Sequence, residues 1–204
     1  MPATSSKRTR AEIDYLLELQ RTRTPEELAW SLKLAGIYYD PTVINPADKK
    51  FAANRDNLFY LGRNLGDWYR RENLPKTCDL MSKVIHDSMV YMVEFKLKYA
   101  RPRPYAVEPK LKVEQPLPHG AFPSGHSFGS YVNAELISRL APDRRAELMD
   151  AGLEFAWSRE LLGVHYPSDS EAGRLWAEDF VKFLFENKKF ARDFEAVKKE
   201  WAQK

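Results

Sequence analysis

Pro75-Lys-Thr-Cys-Asp-Leu-Met-Ser-Lys-Val-Ile-His-Asp-Ser-Met-Val-Tyr-Met-Val-Glu-Phe-Lys-Leu-Lys-Tyr-Ala100 is the stretch whose periodicity decides the fold class. Met81, Val84, Ile85, Met89, Met92 and Val93 recur at spacings of three and four, which places them on one face of a helix. Pro75 suits the first turn of that helix, where its missing N–H costs nothing. The most apolar part, Val84 to Tyr99, is interrupted by His86, Asp87, Glu94, Lys96 and Lys98. It therefore falls short of the ~18 uninterrupted apolar residues that a membrane helix requires, and no membrane partner is expected.

Helical periodicity continues on both sides. Downstream, residues 101–123 hold six prolines, too many for regular structure. Helices are then expected over Ser124–Leu140, Asp143–Leu162, Asp169–Phe185 and Ala191–Ala202. Upstream, a long helical stretch is expected over Ala47–Glu72, after a loop containing Pro41 and Pro46. Thr24-Pro25-Glu26-Glu27 opens a helix that stops at Gly36, with Thr24 and Glu27 forming a capping box. Ala11–Gln20 is a short amphipathic segment, and residues 1–10 read as a flexible polar arm. No segment alternates as a strand does. The expected class is all-α, a single-domain helical bundle spanning residues 1–204.

Composition narrows the function. The net charge of +3 arises from 32 basic and 29 acidic residues spread along the chain, which does not suit a nucleic-acid binder. The single cysteine, Cys78, excludes an intrachain disulfide. The basic start of the chain is followed by no apolar stretch, so it is not read as a signal peptide.

Three segments carry chemistry. They are Lys96-x6-Arg103-Pro104, Pro123-Ser124-Gly125-His126 and Ser158-Arg159-x5-His165-x3-Asp169. A phosphoryl group in transfer carries negative charge on its equatorial oxygens, and cations with oriented N–H donors stabilise it. Lys96, Arg103 and Arg159 are candidates, the arginines able to fork onto two oxygens. Ser124-Gly125 at a helix start offers a hydroxyl, free N–H groups and the positive end of the helix dipole. Two histidines can supply a nucleophile and a proton donor, and a carboxylate four residues from His165 can fix its tautomer. Each piece alone has a plainer reading: a solvated cation, a simple helix cap, a local His–Asp hydrogen bond. Their coincidence in order carries the argument.

The three segments resemble the tripartite motif of the type-2 phosphatidic acid phosphatase superfamily, which includes class A bacterial non-specific acid phosphatases, membrane lipid phosphatases and vanadium haloperoxidases. The run Ser158-Arg-Glu-Leu-Leu-Gly-Val-His-Tyr-Pro-Ser-Asp-Ser-Glu-Ala-Gly-Arg174 is most similar to the soluble class A enzymes. The resemblance spans residues 96–174. It implies an acid phosphatase acting on small phosphomonoesters, with possible transfer to alcohols, no metal and no cofactor. It implies His165 as the nucleophile, Asp169 as its orienting carboxylate and His126 as the proton donor. Lys96, Arg103 and Arg159 would hold phosphate, with Ser124 and Gly125 closing the pocket. It also implies a periplasmic or secreted placement, with a cytosolic one left open by the lack of a visible signal and the single cysteine, and it leaves self-association open. The single cysteine departs from the many disulfide-bearing class A members. A vanadium-dependent haloperoxidase and a catalytically idle phosphate-binding protein remain as alternatives.

Other residues are given lesser roles. His119 reads as a solvated loop histidine, His86 as structural and Cys78 as inert. Tyr105, Phe122 and Tyr166 flank the motif and read equally as a substrate-side aromatic wall or as core packing. Both motif histidines are expected to titrate within a unit or two of pH ~6.5, giving an acidic activity bell centred at about pH 5–6.

Overall fold

The computed structural model describes residues 1–204, and they form helices and loops with no strand. The helices are α1 (Lys7–Thr22), α2 (Pro25–Gly36), α3 (Phe51–Asp56), α4 (Pro75–Tyr99), α5 (Pro104–Val107), α6 (Gly125–Ser138), α7 (Arg145–Leu161), α8 (Pro167–Glu186) and α9 (Lys188–Trp201). Single 3-10 turns, Asn57–Phe59 and Pro142–Arg144, follow α3 and precede α7. No helix is long and apolar enough to cross a membrane.

α6 is the centre of the molecule. Eleven of its 14 residues are buried, because α7 and α8 pack along it. A helix covered on most sides needs apolar residues nearly all round, and Phe128, Tyr131, Val132, Ala134, Leu136 and Ile137 supply them. Its buried serines return their hydroxyls to carbonyls, Ser127 to Ser170 O and Ser138 to Ala134 O, both at 2.6 Å. Gly173 lets α8 meet α6 at backbone distance, since a Cβ there would lie 2.7 Å from the Ser124 carbonyl oxygen. That contact brings the second and third motif segments together.

α4 packs beside α6 and against α9. Met81, Val84, Ile85 and Met92 are buried as expected, but Val93 is 52% exposed. It follows Met92 by one residue, ~100° round the helix, and falls off the narrow stripe that α4 buries. Glu200 of α9 closes the start of α4, accepting from Lys76 N at 2.8 Å, Thr77 N at 2.9 Å and Thr77 Oγ1 at 2.7 Å. Donors left open by the first helical turn are thereby satisfied.

Two expectations are corrected. The expected helix over Ala47–Glu72 shrinks to α3 and one 3-10 turn. Asn45 and Asp48 turn their side chains onto Ala47 N and Lys50 N, at 3.0 and 2.8 Å, competing with helix formation before it begins. Gly66, at φ +123°, ends any continuation. The arm expected over residues 1–10 is also shorter: α1 starts at Lys7 rather than Ala11. Ser6 caps it by accepting from Thr9 N at 3.1 Å, and the buried Thr9 hydroxyl donates to Ala3 O at 2.8 Å. The capping box at Thr24 and Glu27 forms as expected.

α1 also packs over the proline-rich loop. Ile13 and Leu16 join Leu111, Ala121 and Tyr166 in a small second core, which lays the helix across the back of the motif residues.

Candidate active site

α4 ends where Ala100 adopts a left-handed conformation, φ 42°, with its N–H on Lys96 O at 3.0 Å. Few residues other than glycine sit there without cost. The chain then turns away from the α4 axis and presents Arg101 and Arg103 to the interior, where both are buried. Lys96 Nζ reaches back to Gly120 O at 3.0 Å and Pro123 O at 2.8 Å. Arg103 Nε donates to His119 O at 2.8 Å, and its Nη1 to Val164 O at 2.7 Å. The same Nη1 lies 2.9 Å from His165 Nε2.

That contact assigns the histidine's tautomer. A guanidinium only donates, so Nε2 of His165 carries the lone pair. The proton then sits on Nδ1, which faces Asp169 Oδ2 at 3.3 Å. Asp169 is fully buried and also accepts from Tyr166 N at 3.0 Å. Its own carbonyl accepts from Ser124 N at 3.0 Å, tying the start of α8 to the start of α6. Ser124 caps α6 through Ser127 N at 3.3 Å, with Gly125 as the first helical residue. His126 donates Nε2–H to Ala35 O across 3.2 Å, and its ring lies 5.5 Å from that of Tyr38. An Nε2 hydrogen on a neutral ring leaves Nδ1 as the free nitrogen.

Lys96, Arg103 and Arg159 form no ion pair with any carboxylate. Arg159 is buried, and its Nε and Nη1 have no hydrogen-bond partner. Unpartnered buried donors are rare and call for an explanation; here they sit among other uncompensated cations. The charge cluster depresses its own members. Burial, then Arg103, pulls Lys96 down to about 7. Burial, then Arg103, brings Arg159 to about 10. Burial, then Arg159, takes His126 to about 3. Burial, then Arg103 and Lys96, holds His165 well below its usual value. Both histidine pKa values are thus held further below ~6.5 than the sequence suggested, because burial and the nearby cations act together.

The sequence reading missed Arg101 and Glu12. Arg101 is 1% exposed and donates from Nη1 to Asp169 Oδ1 and Ser168 Oγ, and from Nη2 to Glu12 Oε2 at 3.2 Å. Its guanidinium stacks on the Tyr166 ring at 3.8 Å. Glu12 Oε1 accepts from Ser168 N at 3.1 Å, and its Oε2 from Ser168 Oγ at 2.9 Å. A chain of buried contacts therefore runs from α1 through Arg101 and Asp169 to His165. The only trace in the sequence is the alternation Arg101-Pro-Arg103-Pro104, where two arginines share a stretch too proline-rich to be helical.

Of the two readings of the flanking aromatics, core packing is the one observed. Tyr166 is buried beneath Arg101, Phe122 packs edge-on against Tyr99 and Trp176, and the Tyr105 hydroxyl is engaged by Leu117. Tyr38 is instead the ring beside His126. His119 and His86 are exposed, and Cys78 is buried with its thiol pushed up by burial. No group of three or more His, Cys, Asp or Glu side chains is placed to hold a metal ion.

Comparison with known proteins matches residues 80–191 to the family described as the PAP2 superfamily. A non-specific acid phosphatase of Providencia stuartii is 28% identical over 138 residues, covering 65% of this chain and 56% of the relative. An acid phosphatase of Zymomonas mobilis is 27% identical over 132 residues, 62% of this chain and 50% of the relative. A non-specific acid phosphatase of Salmonella typhi is 31% identical over 109 residues, 50% of this chain and 44% of the relative. The chain spans about half the length of the curated relatives it matches.

Proposed function

The chain belongs to the PAP2 superfamily, and from that membership we propose that its 204 residues form one phosphatase domain hydrolysing small phosphomonoesters through a phosphohistidine. The observation that carries the reading is the His165 Nε2 lone pair held at 2.9 Å from Arg103, beside cations that no carboxylate neutralises.

The chemistry follows from charge. A phosphomonoester dianion enters and occupies the free donors of Lys96, Arg103 and Arg159, with Ser124 and Gly125 at the helix start. His165 Nε2 attacks phosphorus, a P–N bond forms and the P–O ester bond breaks. The imidazole keeps its Nδ1 proton and becomes cationic, and Asp169 offsets that charge across 3.3 Å. His126 gives its proton to the leaving alkoxide. In the second half, neutral His126 takes a proton from water as the water oxygen displaces His165. Burial, then Arg159, lowers the His126 pKa. A bound dianion opposes the part that the cations contribute and raises the pKa, so the substrate itself favours the proton it needs. An alcohol in place of water would give phosphoryl transfer by the same route.

Three cations stand where metal ions hold phosphate in other phosphoryl-transfer sites. Hydrolysis of p-nitrophenyl phosphate is therefore expected to persist in excess EDTA and to be inhibited by vanadate, which resembles the five-coordinate transition state. Loss of activity in EDTA that zinc or magnesium restores would refute metal independence.

The pH dependence of kcat/KM follows from Lys96. Its ammonium has a pKa lowered to about 7, so phosphate binding loses one cation as pH rises through that value. We expect kcat/KM to fall above pH 7, by up to tenfold per pH unit. Lys96→Arg keeps its charge and should move this limb upward by more than one unit. Substrate ionisation is common to both proteins and cancels in the comparison. An unmoved limb would show that Lys96 does not set it.

A further inference from the structure

A cavity of about 60 Å³ borders His126 and Gly125 but none of Lys96, Arg103, Arg159 or His165. One wall is a single face of α6: His126, Gly129, Ser130 and Asn133, spaced i, i+3, i+4, i+7. The rest is largely apolar, including Ile37, Leu58, Leu61, Met89 and Phe155. That volume holds about four water molecules, or a narrow organic group.

Two features point to a ligand. Gly129 is the open floor of the cavity, for a Cβ there would meet no atom within 4 Å. A glycine inside a helix is disfavoured relative to alanine, and no packing contact here requires it. Asn133, at the far end, is 9% exposed; its Oδ1 is closed off by its neighbours, so the accessible edge of the amide is Nδ2, which carries no hydrogen bond. A bare donor on a cavity wall is costly and fits an acceptor that arrives with a ligand.

We propose that this cavity receives the leaving alcohol and selects phosphate monoesters of slender, apolar alcohols bearing a hydrogen-bond acceptor at the end remote from the ester. The inference rests on His126 as the proton donor of the proposed phosphatase reaction. A general acid must lie within hydrogen-bond reach of the leaving oxygen. The carbon body attached to that oxygen then lies against His126, which borders this cavity. From His126 to Asn133, seven residues of α6 span ~10.5 Å, a length that a six-carbon chain with a terminal hydroxyl approaches. Apolar walls favour each methylene by about fourfold, and Asn133 Nδ2 donates to the oxygen of the terminal hydroxyl.

The test compares kcat/KM for methyl, hexyl and 6-hydroxyhexyl phosphate in the wild type, Gly129→Leu and Asn133→Ala, with Tm recorded for each. The wild type should prefer hexyl over methyl phosphate by at least about tenfold, and 6-hydroxyhexyl over hexyl by about fivefold. Gly129→Leu fills the cavity and should collapse the hexyl-to-methyl ratio towards one. Asn133→Ala should collapse only the hydroxyhexyl-to-hexyl ratio. If Gly129→Leu does not fold, Gly129→Ala, which favours the helix, should still lower the first ratio severalfold. A wild-type hexyl-to-methyl ratio near one, or ratios retained in folded variants, would overturn the proposal. A wild type active on p-nitrophenyl phosphate but indifferent to the alkyl series would refute this cavity alone. A wild type inactive on every ester would remove the phosphatase reading and this inference with it.

Discussion

His165→Ala is expected to lower turnover of p-nitrophenyl phosphate by about 10⁴-fold or more and to abolish covalent labelling. Removing a nucleophile that acts as a unit with its partners commonly costs this much. The wild type should yield an acid-labile, base-stable phosphoenzyme on quenching in alkaline detergent, and the variant none. The loss should come from chemistry rather than folding. Without the imidazole, Arg103 Nη1 keeps Val164 O at 2.7 Å and Asp169 keeps Tyr166 N at 3.0 Å. Asp169 also retains Arg101. Arg103 and Asp169 therefore each lose one contact but keep others, and the thermal midpoint should change far less than the rate. Near-normal turnover in a folded His165→Ala protein would refute the nucleophile assignment.

Arg101→Met is expected to damage both stability and rate, with opposite pH trends. Arg101 is the cation between two buried carboxylates, Asp169 and Glu12. Deleting one member of such a cluster strands its partners, at a cost of about 3–5 kcal/mol. Burial already raises the Asp169 pKa, and Arg101 is the main influence opposing it. Without Arg101 the folded-state pKa rises further above its unfolded value. A group raised in this way contributes stability below the unfolded pKa, near ~3.9, and loses it as pH rises through the folded value. The variant should therefore be relatively more stable in acid.

Activity should run the other way. A protonated Asp169 accepts the Nδ1–H of His165 only weakly and no longer offsets the imidazolium charge, so kcat should fall about 10–100-fold, a usual loss for outer partners of an active group, and recover as pH rises. Arg101→Lys restores the charge without the stack on Tyr166 and should return much of the acid-side rate. A purely structural Arg101 would lower the thermal midpoint and leave the acidic limb of the pH–rate profile where it was.

Motif residues were legible because their relations are local. Lys96 and Arg103 lie near one helix end, Ser124 and Gly125 occupy one helix start, and His165 and Asp169 are separated by one turn. Helix periodicity and capping chemistry act over four residues, so a single sequence displays them. For the same reason α2, α4 and the helices from α6 onward were readable, whereas residues 47–72 were not. There the apolar spacing looked helical, but Asn45, Asp48, Gly62 and Gly66 shape turns that periodicity does not weigh.

By itself the sequence determined that the chain is all-α, that three cationic and histidine-bearing segments stand in a fixed order, and that this order resembles one phosphatase superfamily. Tertiary structure alone decided what surrounds those segments. Glu12 reaches Ser168 and Arg101 across 156 and 89 residues of chain, and Tyr38 reaches His126 from the loop after α2. The tautomer of His165, the uncompensated charge of Arg159 and the depressed Lys96 all depend on burial and on which groups face one another. Those are properties of closed three-dimensional packing, since desolvation and Coulomb energy depend on distances through space and not on separation along the chain.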